Sequence, residues 1–340
     1  MNKDGFLTLG IETSCDETAI SVVADGRRML SNVIASQIDI FKNYGGVVPE
    51  IASRHHLENI NLVLEQALSE AGATMDDIDL IGVTNGPGLV GALLMGVSTA
   101  KALSFAKNIP LVGVHHLSGH ISANFLSHPE LEPPFMALIV SGGHTEIVNV
   151  KDHSIIEVLG GTRDDAAGEC FDKVARVLGL GYPGGPKIDK AAREGDPDSI
   201  HFKRVMLEKG SYDFSFSGLK TAVLNYLNSE KQAGREVRRE DVAASFQQAV
   251  LDVIVRKTMD ACLENHKDKI VMAGGVAANS RLRAMMEAEC KKHGIGLYYP
   301  EPVLCTDNGA MIACAAYYKY RRKGADGLDL DCWPYLEFEA

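Results

Sequence analysis

Phe6-Leu-Thr-Leu-Gly-Ile-Glu12, the polar turn Thr13-Ser-Cys-Asp-Glu17 and the β-rich run over residues 18–24 decide the fold. The first is read as a buried strand, because a short, largely apolar run that ends abruptly in polar turn residues is what a covered strand requires. Asp25-Gly26 then signals a hairpin, and residues 28–35 supply a third strand. The same grammar returns at Phe135-Met-Ala-Leu-Ile-Val140: a turn at Ser141-Gly-Gly-His144, a strand over 145–150, a break at Lys151-Asp152 and a third strand over 154–159. The two halves read as versions of one unit.

Around these triplets, strands alternate with helices. Helices are expected over 49–71, 90–106, 164–178, 217–227, 240–266 and 279–293, and strands over 80–84, 111–114 and 269–272. That alternation implies an α/β protein whose sheets are covered by helices. His128-Pro129 and Pro133-Pro134 interrupt any regular element, so the domains are expected at 1–127 and 128–305. A closing helix over 306–322 is expected to pack back on the first half, and 324–340 forms an acidic tail.

The chain has 340 residues, 46% of them hydrophobic, with 34 basic against 45 acidic side chains for a net charge of −11. Such a chain buries substantial cores and is poorly suited to holding nucleic acid alone, since phosphate contacts need a basic surface. Its seven cysteines are scattered and never form Cys-x-x-Cys, which points to a reducing cytoplasm rather than a disulfide framework or zinc ribbon. Asp4 and the strand-like residues after it leave no secretory signal to expect, and the most apolar stretch, 90–106, carries Ser98, Thr99 and Lys101, so no membrane span is expected either.

His116 and His120 are four apart at the start of an expected helix, so both imidazoles share one face and suit one metal ion. Leu117 follows His116 where a zinc protease of the His-Glu-x-x-His type has its glutamate, so the general base of peptide hydrolysis is missing. Two histidines need a third ligand, and Asp307 in Cys305-Thr-Asp-Asn-Gly-Ala310 is the candidate; a residue there also suits a helix N-cap, and the roles can coincide. Three glycine turns offer backbone N–H groups to an anion: Ser141-Gly142-Gly143, Tyr182-Pro-Gly-Gly-Pro186 and Gly274-Gly-Val-Ala-Ala-Asn279. With Asp172 and Asp189 as acceptors for ribose or base, they point to a nucleotide site. Gly179-x-Gly-x-x-Gly184 follows a helix and holds Pro183, the wrong context for a dinucleotide fingerprint, and neither a P-loop nor Gly-x-Ser-x-Gly occurs. In the first turn, Asp16 and Glu17 would repel each other unless solvated, protonated or engaged in chemistry, whereas Cys15 has no readable His or Asn partner and suits simple packing.

Leu9-Gly-Ile-Glu-Thr-Ser-Cys-Asp-Glu-Thr18, Tyr44-Gly-Gly-Val-Val-Pro-Glu50, Asn85-Gly-Pro-Gly-Leu89, His115-His-x-x-Gly-His120, Val140-Ser-Gly-Gly-His-Thr145, Gly168-Glu-x-Phe-Asp172, the Tyr182 and Gly274 turns and Cys305-Thr-Asp-Asn-Gly-Ala310 together resemble the TsaD family, once called glycoproteases, in its bacterial branch. The resemblance implies a fold of the actin/sugar-kinase/Hsp70 (ASKHA) type, with two duplicated RNase H-like domains, mixed sheets and a ligand in an interdomain cleft. It implies transfer of threonylcarbamoyl from threonylcarbamoyl-AMP to the exocyclic amine of the adenosine beside the anticodon. By motif, His116, His120 and Asp307 would bind a divalent metal, iron with zinc as the alternative. Ile139, Val140, Ser141, Gly142, Gly143, Asp172, Gly185, Asp189 and Asn279 would contact the adenylate, and Asp16 and Glu17 are the catalytic candidates. Implied partners are tRNA, a TsaB-like paralogue of the same fold and a TsaE-like P-loop ATPase, with a separate synthase supplying the adenylate. Arg235, Arg238, Arg239, Lys319, Arg321, Arg322 and Lys323 are candidate phosphate contacts. The rival readings are a metalloprotease and an ASKHA-type ATPase.

Overall fold

The computed structural model describes residues 5–206, 208 and 210–338; Asp4 and the last two residues of the acidic tail lie outside the described residues. The chain forms two compact units, Met1–Pro133 with Val150–Glu157 and Tyr299–Ala340, and Pro134–Asn149 with Val158–Tyr298. The division falls after Pro133 rather than 127, and residues 299–305 join the first unit, because side-chain and backbone bonds tie them there: His128 to the Tyr299 carbonyl at 3.0 Å and the Glu301 amide to Ser127 Oγ at 3.1 Å.

In the first unit β1 (Leu7–Glu12) lies between antiparallel β2 (Glu17–Ala24) and parallel β5 (Leu80–Gly86). β3 (Arg28–Met29) and β4 (Val33–Ser36) both pair with β2, and β6 (Leu111–His115) runs parallel to β5. The single third strand expected from 28–35 is thus two, since the Leu30 and Ser31 amides both donate to the Val22 carbonyl and two residues oppose one, as in a bulge. Asp25 and Gly26 take φ of 52° and 73°, the left-handed pair that a tight hairpin turn demands. The helices of this unit are the short α1 (Ile38–Phe41), α2 (Pro49–Ala71), α3 (Val90–Lys107) and α4 (His116–Ser127), with α10 (Pro302–Cys305) and α11 (Gly309–Lys323) from the chain's end.

The second unit is built on β7 (Phe135–Val140), β8 (Thr145–Asp152), β9 (Ile155–Gly161), β10 (Lys269–Ala273) and β11 (Gly296–Tyr298), ordered β11-β10-β7-β8-β9. Each sheet therefore starts with its central strand, lays the next strands to one side, three in the first unit and two in the second, and places two later, parallel strands on the other. Its helices are α5 (Ala167–Val177), α6 (Gly184–Ala192), α7 (Ser217–Gln232), α8 (Arg239–Glu264) and α9 (Ser280–His293). α5 starts at Ala167 and not at 164, because the Asp164 carboxylate is spent on α7, where it accepts from the Phe216 amide at 2.8 Å and Ser217 Oγ at 2.8 Å. Phe171 and Phe246, ring centroids 5.2 Å apart, help tie α5 to α8 in the core.

What places the first unit's site is the close seating of α11. A Cβ at Gly10, in the middle of β1, would stand 2.1 Å from the Gly309 carbonyl, and one at Gly82 would stand 2.3 Å from Ala316 Cβ. Glycine in both strands and the Gly-Ala face of α11 let the helix lie directly on the sheet, and they bring the residues just before it, Asp307 among them, to the start of α4.

Candidate active site

His116 opens α4 and His120 is one turn on, both nearly inaccessible to solvent. Their Nε2 atoms converge on Asp307 Oδ1, at 3.5 Å from His116 and 3.2 Å from His120. Two ligands each about 2.1 Å from one ion at the tetrahedral angle stand about 3.4 Å apart, so these separations suit a shared cation. Two imidazoles and a carboxylate are also the donor set of iron and zinc sites. The N-cap of α11 is not Asp307 but its neighbour Asn308, whose side chain accepts from the Met311 amide at 2.9 Å.

Behind His116 lies a residue the motif reading did not single out. Glu12, fully buried at the end of β1, sits with Oε2 3.1 Å from His116 Nδ1 and also accepts from Thr84 Oγ1 and the Ser14 amide. With Nδ1–H donated to Glu12, the Nε2 lone pair of His116 faces Asp307 and His120, the tautomer a metal ligand needs. Burial opposes charging His116, yet the Asp307 and Glu12 carboxylates outweigh it and raise the imidazole to about 9. Burial likewise opposes ionising Glu12, and His116 overcomes this, holding the carboxyl below its ordinary value. The pair creates a field that demands a positive charge, met by a proton here or by a metal ion. Glu12 occupies the Nδ1 side, away from the converging Nε2 atoms, so it orients the His116 ring and does not stand where a protease base would.

The turn that follows is held rigidly. The Gln37 amide donates to the Asp16 carbonyl at 3.0 Å, and His56, fully buried on the apolar stripe of α2, bridges Thr18 Oγ1 at 2.8 Å and the Cys15 carbonyl at 2.9 Å. A histidine in step with Ala52, Ile60 and Val63 was the sequence signal for that role. Burial first, then the Asp307 and Asp16 carboxylates, push Glu17 well above the usual carboxylate range. Burial, reinforced by Asp16, does the same to the Cys15 thiol, which removes it as a nucleophile.

In the second unit the glycines separate into two kinds. A Cβ at Gly168, Gly184 or Gly274 would strike backbone, at 2.5 Å from the Ser141 carbonyl, 2.6 Å from Asp172 Cα and 2.6 Å from the Val140 carbonyl. These seat α5, α6 and the turn after β10 around the end of β7. At Gly142, Gly143 and Gly185 a Cβ would meet nothing within 4 Å among the described residues, which leaves room for a ligand against the main chain. Asp172 accepts from the Gly184 amide at 2.6 Å, Asp189 from Ser280 Oγ at 2.9 Å and from Arg193 at 3.0 Å, and Asn279 caps α9 while donating to buried Gln247 at 2.8 Å. Ile139 and Val140 are wholly buried in β7, so only their main-chain atoms remain for a ligand. Of the basic candidates, Arg235 is clasped by Glu230, Arg238 by Asp241 and the Glu194 carbonyl, and Lys319 by the Gly113 carbonyl.

The sequence profile of tRNA N6-adenosine threonylcarbamoyltransferase, TsaD, matches residues 28–314. The chain belongs to the TsaD family. It is 57% identical over 335 residues, 98% of both chains, to the tRNA N6-adenosine threonylcarbamoyltransferase of Clostridium botulinum strain 657, and 56% identical over 338 residues, 99% of both, to that of Clostridium kluyveri. Among solved structures it is similar to full-length HypF in the phosphate- and nucleotide-bound form (TM-score 0.63, 14% identity, 94% of this chain and 47% of that one). It is also similar to component A of the Acidaminococcus fermentans (R)-2-hydroxyglutaryl-CoA dehydratase (TM-score 0.53, 14% identity, 94% and 100%). These likenesses show the fold, the ASKHA type, and nothing further. Among the described residues, no helix of this TsaD chain is long and apolar enough to cross a membrane.

Proposed function

We propose that this chain transfers threonylcarbamoyl from threonylcarbamoyl-AMP to the N6 amine of the adenosine beside the anticodon in tRNAs reading codons that begin with adenine. Transfer to N6 of a tRNA adenosine follows from its family; the acyl-AMP donor and the anticodon-adjacent target go beyond it. The observation that carries the reading is the convergence of His116, His120 and Asp307 beside a turn bearing Asp16 and Glu17.

The donor is a mixed anhydride and already activated, so the chain needs to align, polarise and accept a proton. The N6 nitrogen forms a bond to the carbamoyl carbon, the carbon–oxygen bond to AMP breaks, and the amine proton passes to Asp16. Glu17, whose charged form is disfavoured by burial and by the Asp307 and Asp16 carboxylates, would donate to Asp16 and hold it in place. His116, His120 and Asp307 would hold iron(II) or zinc, which when bound supplies a Lewis acid for the carbamoyl oxygen. The open amides around Gly142, Gly143 and Gly185 would take the phosphate and ribose of the adenylate. A TsaB-like paralogue and a TsaE-like ATPase would complete the tRNA surface that a net charge of −11 denies this chain. Free thiols throughout fit work in the cytoplasm.

The test is reconstitution with threonylcarbamoyl-AMP, tRNA and the partner proteins, followed by nucleoside mass analysis. Modified adenosine is expected from the wild type and not from His116→Ala or Asp16→Ala. Full activity in both variants would overturn the site.

A further inference from the structure

The acidic tail is not a loose end. From Leu330 to Phe338 its residues alternate without exception: 330, 332, 334, 336 and 338 face inward, while Asp331, Trp333, Tyr335 and Glu337 are exposed. Such a period of two is that of an extended segment laid on a surface. The acidic composition belongs to the outward face and hides an apolar inward one. Leu330 and Cys332 join the core of the first unit.

The segment is fastened along its length. The Asp326 amide donates to the Leu111 carbonyl at 2.8 Å, and Asp326 Oδ2 accepts from the Gly113 amide at 2.8 Å, extending the sheet beyond β6. The Trp333 amide donates to the Asn85 carbonyl at 2.7 Å, and the Gly88 amide to the Pro334 carbonyl at 3.2 Å. His115 Nε2 donates to the Leu336 carbonyl at 3.0 Å, and the Phe338 ring stacks on the same imidazole with centroids 4.2 Å apart.

Two routes run from these bonds to one metal-binding side chain. On one, His115 Nδ1 accepts from the Leu117 amide at 3.2 Å, so a single neutral ring ties the tail to the first turn of α4, where His116 lies. On the other, the turn held by Pro334 passes its next amide, Leu89, to the Ser14 carbonyl at 2.8 Å, and Ser14 Oγ sits 3.2 Å from His116 Nδ1.

We propose that Asp326–Phe338 is a strap that sets the His116 imbedding through His115 on one side and through Asn85–Leu89 and Ser14 on the other, making His115 and Phe338 positioning residues for the transfer reaction. This rests on reading His116, His120 and Asp307 as a metal site. Outer partners of metal ligands are worth 10–100-fold in affinity, and the strap is such a partner at one remove.

The experiment measures Co2+ affinity and the Co2+ absorption band in the full chain, in Phe338→Ala, in Phe338→Tyr and in a chain ended after Gly324. Hydrogen exchange at the Leu89 and Leu117 amides is followed without metal. Phe338→Ala is expected to weaken Co2+ binding about tenfold and shift the band, and Phe338→Tyr to restore both. The shortened chain is expected to lose more and to exchange faster at both amides. Wild-type affinity and band in a folded shortened chain, or a Phe338→Ala variant that melts earlier with unchanged Co2+ binding, overturns the strap. If the shortened chain does not fold, the Phe338 pair decides. Should the wild type bind no Co2+, the metal reading fails by itself, and unchanged exchange at Leu89 and Leu117 in Phe338→Ala then overturns the strap.

Discussion

The turn after β1 and the turn after β7 occupy the same place in two sheets of the same strand order, yet they are built from opposite materials. Between β1 and β2 the chain packs Thr13, Ser14 and Asp16 almost out of solvent, each bound to a neighbour by side chain or backbone. Between β7 and β8 it exposes Gly142 and Gly143 with open space where side chains would be. One copy of the repeat has become a scaffold for side-chain chemistry, the other a bare run of main-chain donors. Duplication supplied the frame, and residue size at the turn decided its use.

The sharpest break of that contrast is loss of the metal proposed at His116, His120 and Asp307 beside the first turn. His120→Ala or Asp307→Ala should strip bound metal and lower transfer by more than about a hundredfold, beyond the range of outer-shell partners, as read by metal analysis and nucleoside yield. Next, Asp16→Asn should lower kcat by about 10²–10⁴ with little change in KM, as loss of a proton acceptor does. Glu17→Gln should cost far less in the same assay, since burial and the neighbouring carboxylates already disfavour the charge that the amide lacks.

The second turn is tested by two kinds of glycine. Gly274→Ala forces a Cβ against the Val140 carbonyl at a φ of 89° and should destabilise by about 1–3 kcal/mol in denaturant melts. Gly142→Ala, with open space before it, should leave the melt unchanged and raise KM for the adenylate. The smallest effect is expected beside this turn, at Glu146. Burial raises its carboxyl to about 7 from 4.5, and its Oε2 has no hydrogen-bond partner among the described residues. The folded state therefore holds this proton more tightly than the unfolded chain, so the stability it confers is present below pH 4.5 and lost as pH rises through 7. Glu146→Gln should raise Tm slightly at neutral pH and flatten that slope.

Much of this was legible in the residues. Strand triplets ending in Glu12 and Val140 were plain because apolar runs and turn residues act locally, and the i, i+4 spacing of His116 and His120 sets their shared face as soon as a helix forms. Glu12 was quoted within a motif but not seen as the partner of His116, because 104 residues separate them and only the pairing of β1 with β5 and of β5 with β6 closes the gap. Asp189 and Asn279 were named as adenylate contacts without their protein partners, because sequence does not show that the Ser280, Arg193 and Leu282 donors lie beside them. The tail read only as acidic because composition averages over a period of two.

The sequence by itself determined the repeated strand order, the helix that carries two imidazoles and the family, since each depends on short-range pattern or on motifs kept in order. Only the tertiary structure decided which carboxylate orients His116, which glycines are packed and which are open, and where the last residues lie. The first rests on the pairing of β1, β5 and β6, the second on how α5, α6 and the turn after β10 seat around β7, and the last on how closely α11 and the tail approach the sheet, a distance set by side chains absent at Gly10, Gly82 and Gly86, far along the chain from the atoms they admit.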